Sequence, residues 1–238
     1  MLRSFAIAIA VSGTLGGSGP TLAAAQLNTV PFAYSPPPGP QRGLGTGTLF
    51  AARGVNDDSG EAWAFALGLE LGVSDAVSVG GAVGTVQSLD PPSDHERNLQ
   101  GALTAAVRLF RAVSADGSGS TSISVVAGLG YAPITVRASE TNVPIGLGIA
   151  RVIELGGLAV EAWTSPRFVA RRVAFPDDHA TQYGGALSAG ANVGFSLGAA
   201  LVAAVEYRTF GEKRRGALTV PVHSPLSAAL GLRFRSGL

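Results

Sequence analysis

The sequence contains no cysteine and a single lysine, Lys213. Without cysteine there is no disulfide, no thiolate metal site and no acylated lipoprotein-type anchor. Charge is scarce as well. Charged residues are 14% of the 238 residues, against roughly 25% in a typical soluble domain. A water-facing surface of this size ordinarily needs many Lys and Glu side chains, and they are missing. The formal net charge of +1 leaves no basic footprint for nucleic acid and no polybasic patch for a membrane surface. Long apolar runs are absent too. The stretch 182–205 is uncharged, but Gly and Asn interrupt it, and no other segment after the leader offers the roughly 20 apolar residues of a membrane helix. There is no GxSxG, no phosphate-binding loop and no dinucleotide fingerprint. What the chain does have is glycine, 33 residues, together with 14 prolines.

Residues 1–25 have the layout of a secretory signal peptide. Arg3 supplies the positive start, Phe5 to Leu15 the apolar stretch, and Ala23-Ala24-Ala25 the small residues before a cut ahead of Gln26. The apolar stretch is too short for an anchor, and Gly13, Gly16, Gly17, Gly19 and Pro20 break it. Residues 26–42, with Ser35-Pro36-Pro37-Pro38-Gly39-Pro40, form a Pro-rich extended tail. The remaining residues, 43–238, constitute one domain.

From Gly43 onward the pattern has period two. Trp63, Phe65, Leu67, Leu69, Leu71 and Val73 fall on one face; Ala62, Ala64, Ala66, Gly68, Glu70 and Gly72 fall on the other. A helix would scatter these residues, whereas a strand separates them. The same reading covers 99–111, 121–132, 182–195, 199–210 and 225–235, and more weakly 43–53, 76–88, 143–154 and 158–171. Ten strands are predicted, or eight if the weak segments 43–53 or 158–171 fail. Short connections at 74–75, 155–157 and 196–198, and a medium one at 112–120, alternate with longer ones. The longer ones lie at 54–60, 89–98, 133–142, 172–181 and 211–224, and they hold all three histidines. Short turns at one rim and longer loops at the other are a transmembrane-barrel pattern.

The bulky face is apolar; the other face is Gly, Ala and Ser with an occasional Glu or Arg. That second face makes a poor solvent surface and a good narrow lumen, so the bulky face is assigned to lipid. The fold class is therefore all-β, an antiparallel up-and-down transmembrane β-barrel. Two residues sit awkwardly. Arg151 shares parity with Ile149 and Ile153 and would face lipid unless it lies near an interface or a bulge intervenes. Pro166 inside a strand calls for an edge-like or bulged geometry, or a place near the outer rim.

On these residues the chain resembles the small porin-like and OmpA-like outer-membrane β-barrel family over about 43–238. The strand Leu226-Ser-Ala-Ala-Leu-Gly-Leu-Arg-Phe234 is similar to the C-terminal insertion signal of that family, although the chain continues to Leu238. Val143-Pro-Ile-Gly-Leu-Gly-Ile, Leu155-Gly-Gly and Trp163-Thr-Ser-Pro-Arg-Phe168 also look like a hairpin of such proteins. The resemblance implies an outer-membrane location, with termini in the periplasm and long loops outside. It implies lipid, lipopolysaccharide and the barrel-assembly machinery as partners, small polar solutes as cargo, and no cofactor.

Inward parity collects Glu70, Arg108, Glu161, Arg167, Glu206, Arg208 and Arg233, with Arg235 beside them. Buried charges need partners or water. Two readings are open: a charged constriction for small anions or zwitterions, or a salt-bridged plug. The loops carry Asp57-Asp58, Asp94-His95-Glu96 and Asp177-Asp178-His179. Acid and His residues at an outer rim are also the makings of a hydrolase that activates water. Solvated polar loops are the simpler account. His95, His179 and His223 have no metal-ligand spacing. The expectation is a non-enzymatic small channel or structural barrel, with a surface adhesion module and a rim hydrolase as alternatives.

Overall fold

A computed structural model of the chain describes residues 44–55, 62–88, 97–135, 138–156, 158–176, 178–195, 198–215, 218–220 and 224–237. The leader 1–25 and the tail 26–42 lie outside them, as do Asp57, Asp58, Asp94, His95, Glu96, Asp177 and His223. The described residues contain strands and no helix.

Ten strands close into one antiparallel barrel. In chain order they are β1 (Leu44–Gly54), β2 (Ala62–Gly72), β3 (Val77–Ser88), β4 (Arg97–Val113), β5 (Gly119–Thr135), β6 (Ala138–Leu155), β7 (Leu158–Ala174), β8 (His179–Gly194), β9 (Ala199–Phe210) and β12 (Leu226–Gly237). A small hairpin, β10 (Lys213–Arg215) with β11 (Leu218–Val220), stands in the connection between β9 and β12. Each strand pairs with its sequence neighbour, and β1 pairs with β12 from Leu44↔Gly237 to Gly54↔Ser227, which leaves no edge. Closure satisfies every strand's backbone through a neighbour. The weak segments 43–53 and 158–171 are both strands, so the count is ten.

The predicted faces separate as the pleat requires. In β2, Ala62, Ala64 and Ala66 are buried while Trp63, Phe65, Leu67, Leu69 and Leu71 are exposed. The interior is therefore the lumen, filled mainly by small side chains. Three aromatics also point inward, each registered across the ladder from a glycine: Phe50 from Gly231, Trp163 from Gly190, and Phe210 from Gly184. The pairing has a steric reason. A methyl group added at Gly190 would lie 2.6 Å from the Trp163 ring. Glycine leaves room for the large lumen side chains that the bulky-out pattern had not assigned.

Three expectations change, and one holds. The connections expected at 133–142 and 172–181 are largely strand, because β5–β8 run 16–18 residues and make that wall taller. The alternation continues through Glu140 and Asn142, and hydrogen bonding goes with it. His179 opens β8 rather than lying in a loop. Pro166 is neither at the rim nor on an edge. It sits mid-ladder, where the β6–β7 pairing lapses between Gly146↔Arg167 and Ile149↔Thr164. Proline brings no N–H, and Ser165 Oγ donates to the Leu147 carbonyl at 2.9 Å across that gap. Arg151 does lie on the outward face, four residues from the end of β6.

Candidate functional site

The lumen holds three groups of ionic side chains. The first spans adjacent strands β6, β7 and β8. Arg171 donates to Glu140 Oε2 through Nε at 2.9 Å and Nη2 at 2.7 Å, and through Nη1 to Gln182 at 3.2 Å. Its guanidinium also lies 5.4 Å over the Phe210 ring. The second group is centred on Glu206 of β9, whose side chain is 1% exposed. Arg167 from β7 and Arg208 from β9 both pair with it, and Ser188 of the intervening β8 donates to it at 2.7 Å. Two guanidiniums and a hydroxyl thus surround one buried carboxylate.

The third group crosses the barrel. Arg233 of β12 lies 3.5 Å from Glu70 of β2 and 3.7 Å from Glu161 of β7. Around a ring of ten strands, β2 and β7 are five apart, which makes them diametrically opposite. Ser78 donates to Glu70 at 2.8 Å, and Asn192 to Glu161 at 2.7 Å. One arginine therefore links opposite walls, and all three side chains are almost wholly buried.

Formal charges over the three groups balance, with four Arg (Arg167, Arg171, Arg208, Arg233) and four Glu (Glu70, Glu140, Glu161, Glu206). The balance is uneven by level. The Glu206 group has one excess positive charge, and the Arg233 group one excess negative charge. Low dielectric makes each unpaired charge costly, so these groups hold one another in place.

The structure brings Glu70, Glu161 and Arg233 together, and separately Arg167, Glu206 and Arg208. Arg108 joins neither group. It stands near the short-turn end of β4 and donates to the Asp75 carbonyl. Glu140 and Arg171 were missed by the sequence reading. Glu140 lies in the expected connection 133–142, and Arg171 is the last position of the predicted strand 158–171. The usable signal was the parity that Arg171 shares with Arg167. Among the described residues, no group of three or more His, Cys, Asp or Glu could hold a metal.

The outer face is the reverse of the lumen. Leu69, Leu99, Leu103, Leu109, Leu187 and Leu230 are all more than half exposed, Leu230 at 70%. Exposed aromatics gather at the two ends of this belt. Trp63, Tyr131, Tyr183 and Tyr207 lie toward the long-loop ends of their strands, and Phe110, Phe195 and Phe234 toward the short-turn ends. A closed barrel with charges inside, leucines outside and two aromatic girdles is built for a bilayer. The chain is an outer-membrane-type β-barrel.

No protein-family model matches the sequence. No curated protein matches it either. Solved structures are similar in architecture. The N-terminal β-barrel domain of Pseudomonas aeruginosa OprF aligns over 83% of this chain and 100% of its own, at 10% identity and a TM-score of 0.38. The outer membrane protease OmpT of Escherichia coli aligns over 82% of this chain and 94% of its own, at 8% identity and a TM-score of 0.42. The attachment invasion locus protein Ail of Yersinia pestis aligns over 82% and 100%, at 10% identity and a TM-score of 0.32. At such identities the likeness is one of fold and assigns no activity.

Proposed function

We propose that this barrel is a structural outer-membrane protein with a closed lumen and no catalytic activity. The observation that carries the reading is the Glu70–Arg233–Glu161 tie between opposite walls. A lumen that one guanidinium spans leaves little section for solute. The buried Glu206 group and the inward aromatics occupy more of it. In this reading both ends of the barrel sheet, at Leu44 and Gly237, face the periplasm, and the longer connections face outward. The test is electrical. Barrel refolded from the full mature chain and inserted in planar bilayers should give no steady conductance. A stable open current from the wild-type protein would refute the closed lumen. Heat-modifiable migration in detergent gels serves as the folding control.

A second reading rests on the tall wall. Strands β5–β8 are 16–18 residues long, while about 9–11 suffice to cross the hydrocarbon layer. On the long-loop side the excess, with the β10–β11 hairpin, forms a surface for an external partner. Arg53 stacks over Trp63 at 5.4 Å on the outward face there, which suits the phosphates of lipopolysaccharide. Loss of a cell-surface phenotype on excision of 212–223, with the barrel still folded, would favour this role. Retention of the phenotype would count against it.

A further inference from the structure

At the short-turn end the lumen opens into a recess of about 470 Å³. Its charged lining is four arginines, Arg108, Arg111, Arg233 and Arg235, and two glutamates, Glu154 and Glu161. The lining therefore carries two more positive than negative formal charges. Glu70 touches Arg233 but does not line the recess.

The way these arginines arrive is unusual. Arg108 and Arg111 have opposite parity, so a regular strand would send one of them into lipid. The β4–β5 register shifts between Arg108 and Phe110, placing Arg108 opposite Ser124 and Arg111 opposite Ser122. Both serines are buried in the lumen. The bulge at Leu109 thus turns a second guanidinium inward beside the first, against their mutual repulsion. Arg233 and Arg235 share the inward face of β12, four strands away around a ring of ten. Two arginine pairs consequently face each other from well-separated walls. Arg233 supplies an independent sign that the site is incomplete. Its side chain is 5% exposed, both of its ion pairs are long, and its buried Nε meets no hydrogen-bond partner among the described residues.

We infer that this recess is a binding site for a small oxyanion bearing two or more negative charges, a phosphate or a dicarboxylate. Guanidinium pairs are suited to bidentate contact with either group. The lining stays positive even when Glu70, paired with Arg233, is counted against it, and the volume is within the range of small-molecule pockets. The inference concerns the mouth alone and does not depend on whether the deeper lumen is closed.

The test uses full mature chain folded in a glucoside detergent at low ionic strength, titrated calorimetrically with inorganic pyrophosphate and, separately, with succinate. Saturable binding of one anion per barrel is expected for at least one of the two. The tighter probe tells phosphate from carboxylate. Arg111→Gln combined with Arg235→Gln, two exposed residues outside the buried ion pairs, should weaken binding at least tenfold. Arg151→Gln, on the outward face of β6 and outside the recess lining, should leave it unchanged. Each single variant repeats the measurement if the double variant fails the heat-modifiability check. No saturable binding of either anion, binding that survives both rim substitutions, or an equal loss in Arg151→Gln would overturn the site.

Discussion

Glu70 and Glu161 stand on opposite strands of the barrel and share the guanidinium of Arg233. Two carboxylates and one cation leave a local negative excess, which the arginine holds in check from between them. Arg233→Ala should therefore do more than loosen the lumen. It removes the tie and leaves two carboxylates facing one another across the space. The expected outcome is a small, cation-selective leak in planar bilayers where the wild type is silent. Reversal potentials under a salt gradient measure the selectivity. A silent variant, or one that passes anions preferentially, contradicts this role for the tie.

The Glu206 group behaves differently, because here the carboxylate is the minority partner. Arg167, Arg208 and Ser188 all converge on it. Glu206→Ala strands two buried guanidiniums and should destabilise the barrel by about 3–5 kcal/mol, as expected when one member of a buried pair is removed. Arg208→Gln leaves Arg167 still paired with Glu206 and should cost clearly less. Urea unfolding in lipid vesicles, monitored by tryptophan fluorescence, ranks the two. Equal losses would mean that Arg167 does not hold Glu206 by itself.

The strands were legible in the sequence because the pleat imposes period two on both faces. A narrow lumen forces Gly and Ala inward while lipid takes the leucines, so β2 could be read residue by residue. Interactions that join non-neighbouring strands leave no such trace. Nothing in the spacing of Glu70, Glu161 and Arg233 says that they meet, since the meeting depends on strand number and shear. The turn of Arg111 into the lumen was hidden for a related reason. A single bulge inverts the parity of every later residue in the strand, so an arginine that strict alternation would send outward turns inward. Pro166 was a local warning of irregularity, and Pro144 sits at a like place on the neighbouring strand. Only the ladder shows that each leaves a two-residue gap in pairing rather than ending a strand.

Trp163 packs inside the barrel against Gly190 on the next strand. An added methyl group would lie 2.6 Å from both the ring and the Ala203 carbonyl oxygen. The carbonyl belongs to the backbone and cannot move without disturbing the ladder. Gly190→Ala should therefore lower stability by about 1–3 kcal/mol through overpacking. The paired change Gly190→Ala with Trp163→Leu should recover part of the loss. No recovery in the double variant would assign the whole cost to the backbone contact.

Asp116 occupies the β4–β5 turn, where Gly117 adopts φ 72°. Ser118 donates to the Asp116 carboxylate twice, from its hydroxyl at 2.7 Å and its backbone N–H at 3.0 Å. These bonds hold the carboxyl below the ordinary aspartate range, the hydroxyl contributing most. A depressed folded value means that the turn's support is complete above the unfolded pKa and is lost as pH falls through the folded one. Ser118→Ala should raise the Asp116 midpoint toward the ordinary value. Carboxyl-carbon NMR titration in micelles reads it directly, and an unchanged midpoint rules out the hydroxyl as the cause.

Arg151 is the one clear charge on the outward face of β6, between the exposed Ile149 and Ile153. It pairs in register with Thr121 and Ala162, four residues before the short turn. A cation at the middle of the hydrocarbon layer costs about 2–4 kcal/mol, falling to about 0–1 near the interface. Its place near the strand end, and a stem long enough to reach the headgroups, put it in the second range. Arg151→Leu should accordingly leave stability unchanged or raise it by no more than about 1 kcal/mol, measured by urea unfolding in vesicles. A gain of several kcal/mol would move Arg151 toward the centre of the layer. The belt would then be set lower on the barrel than the Phe110, Phe195 and Phe234 girdle indicates.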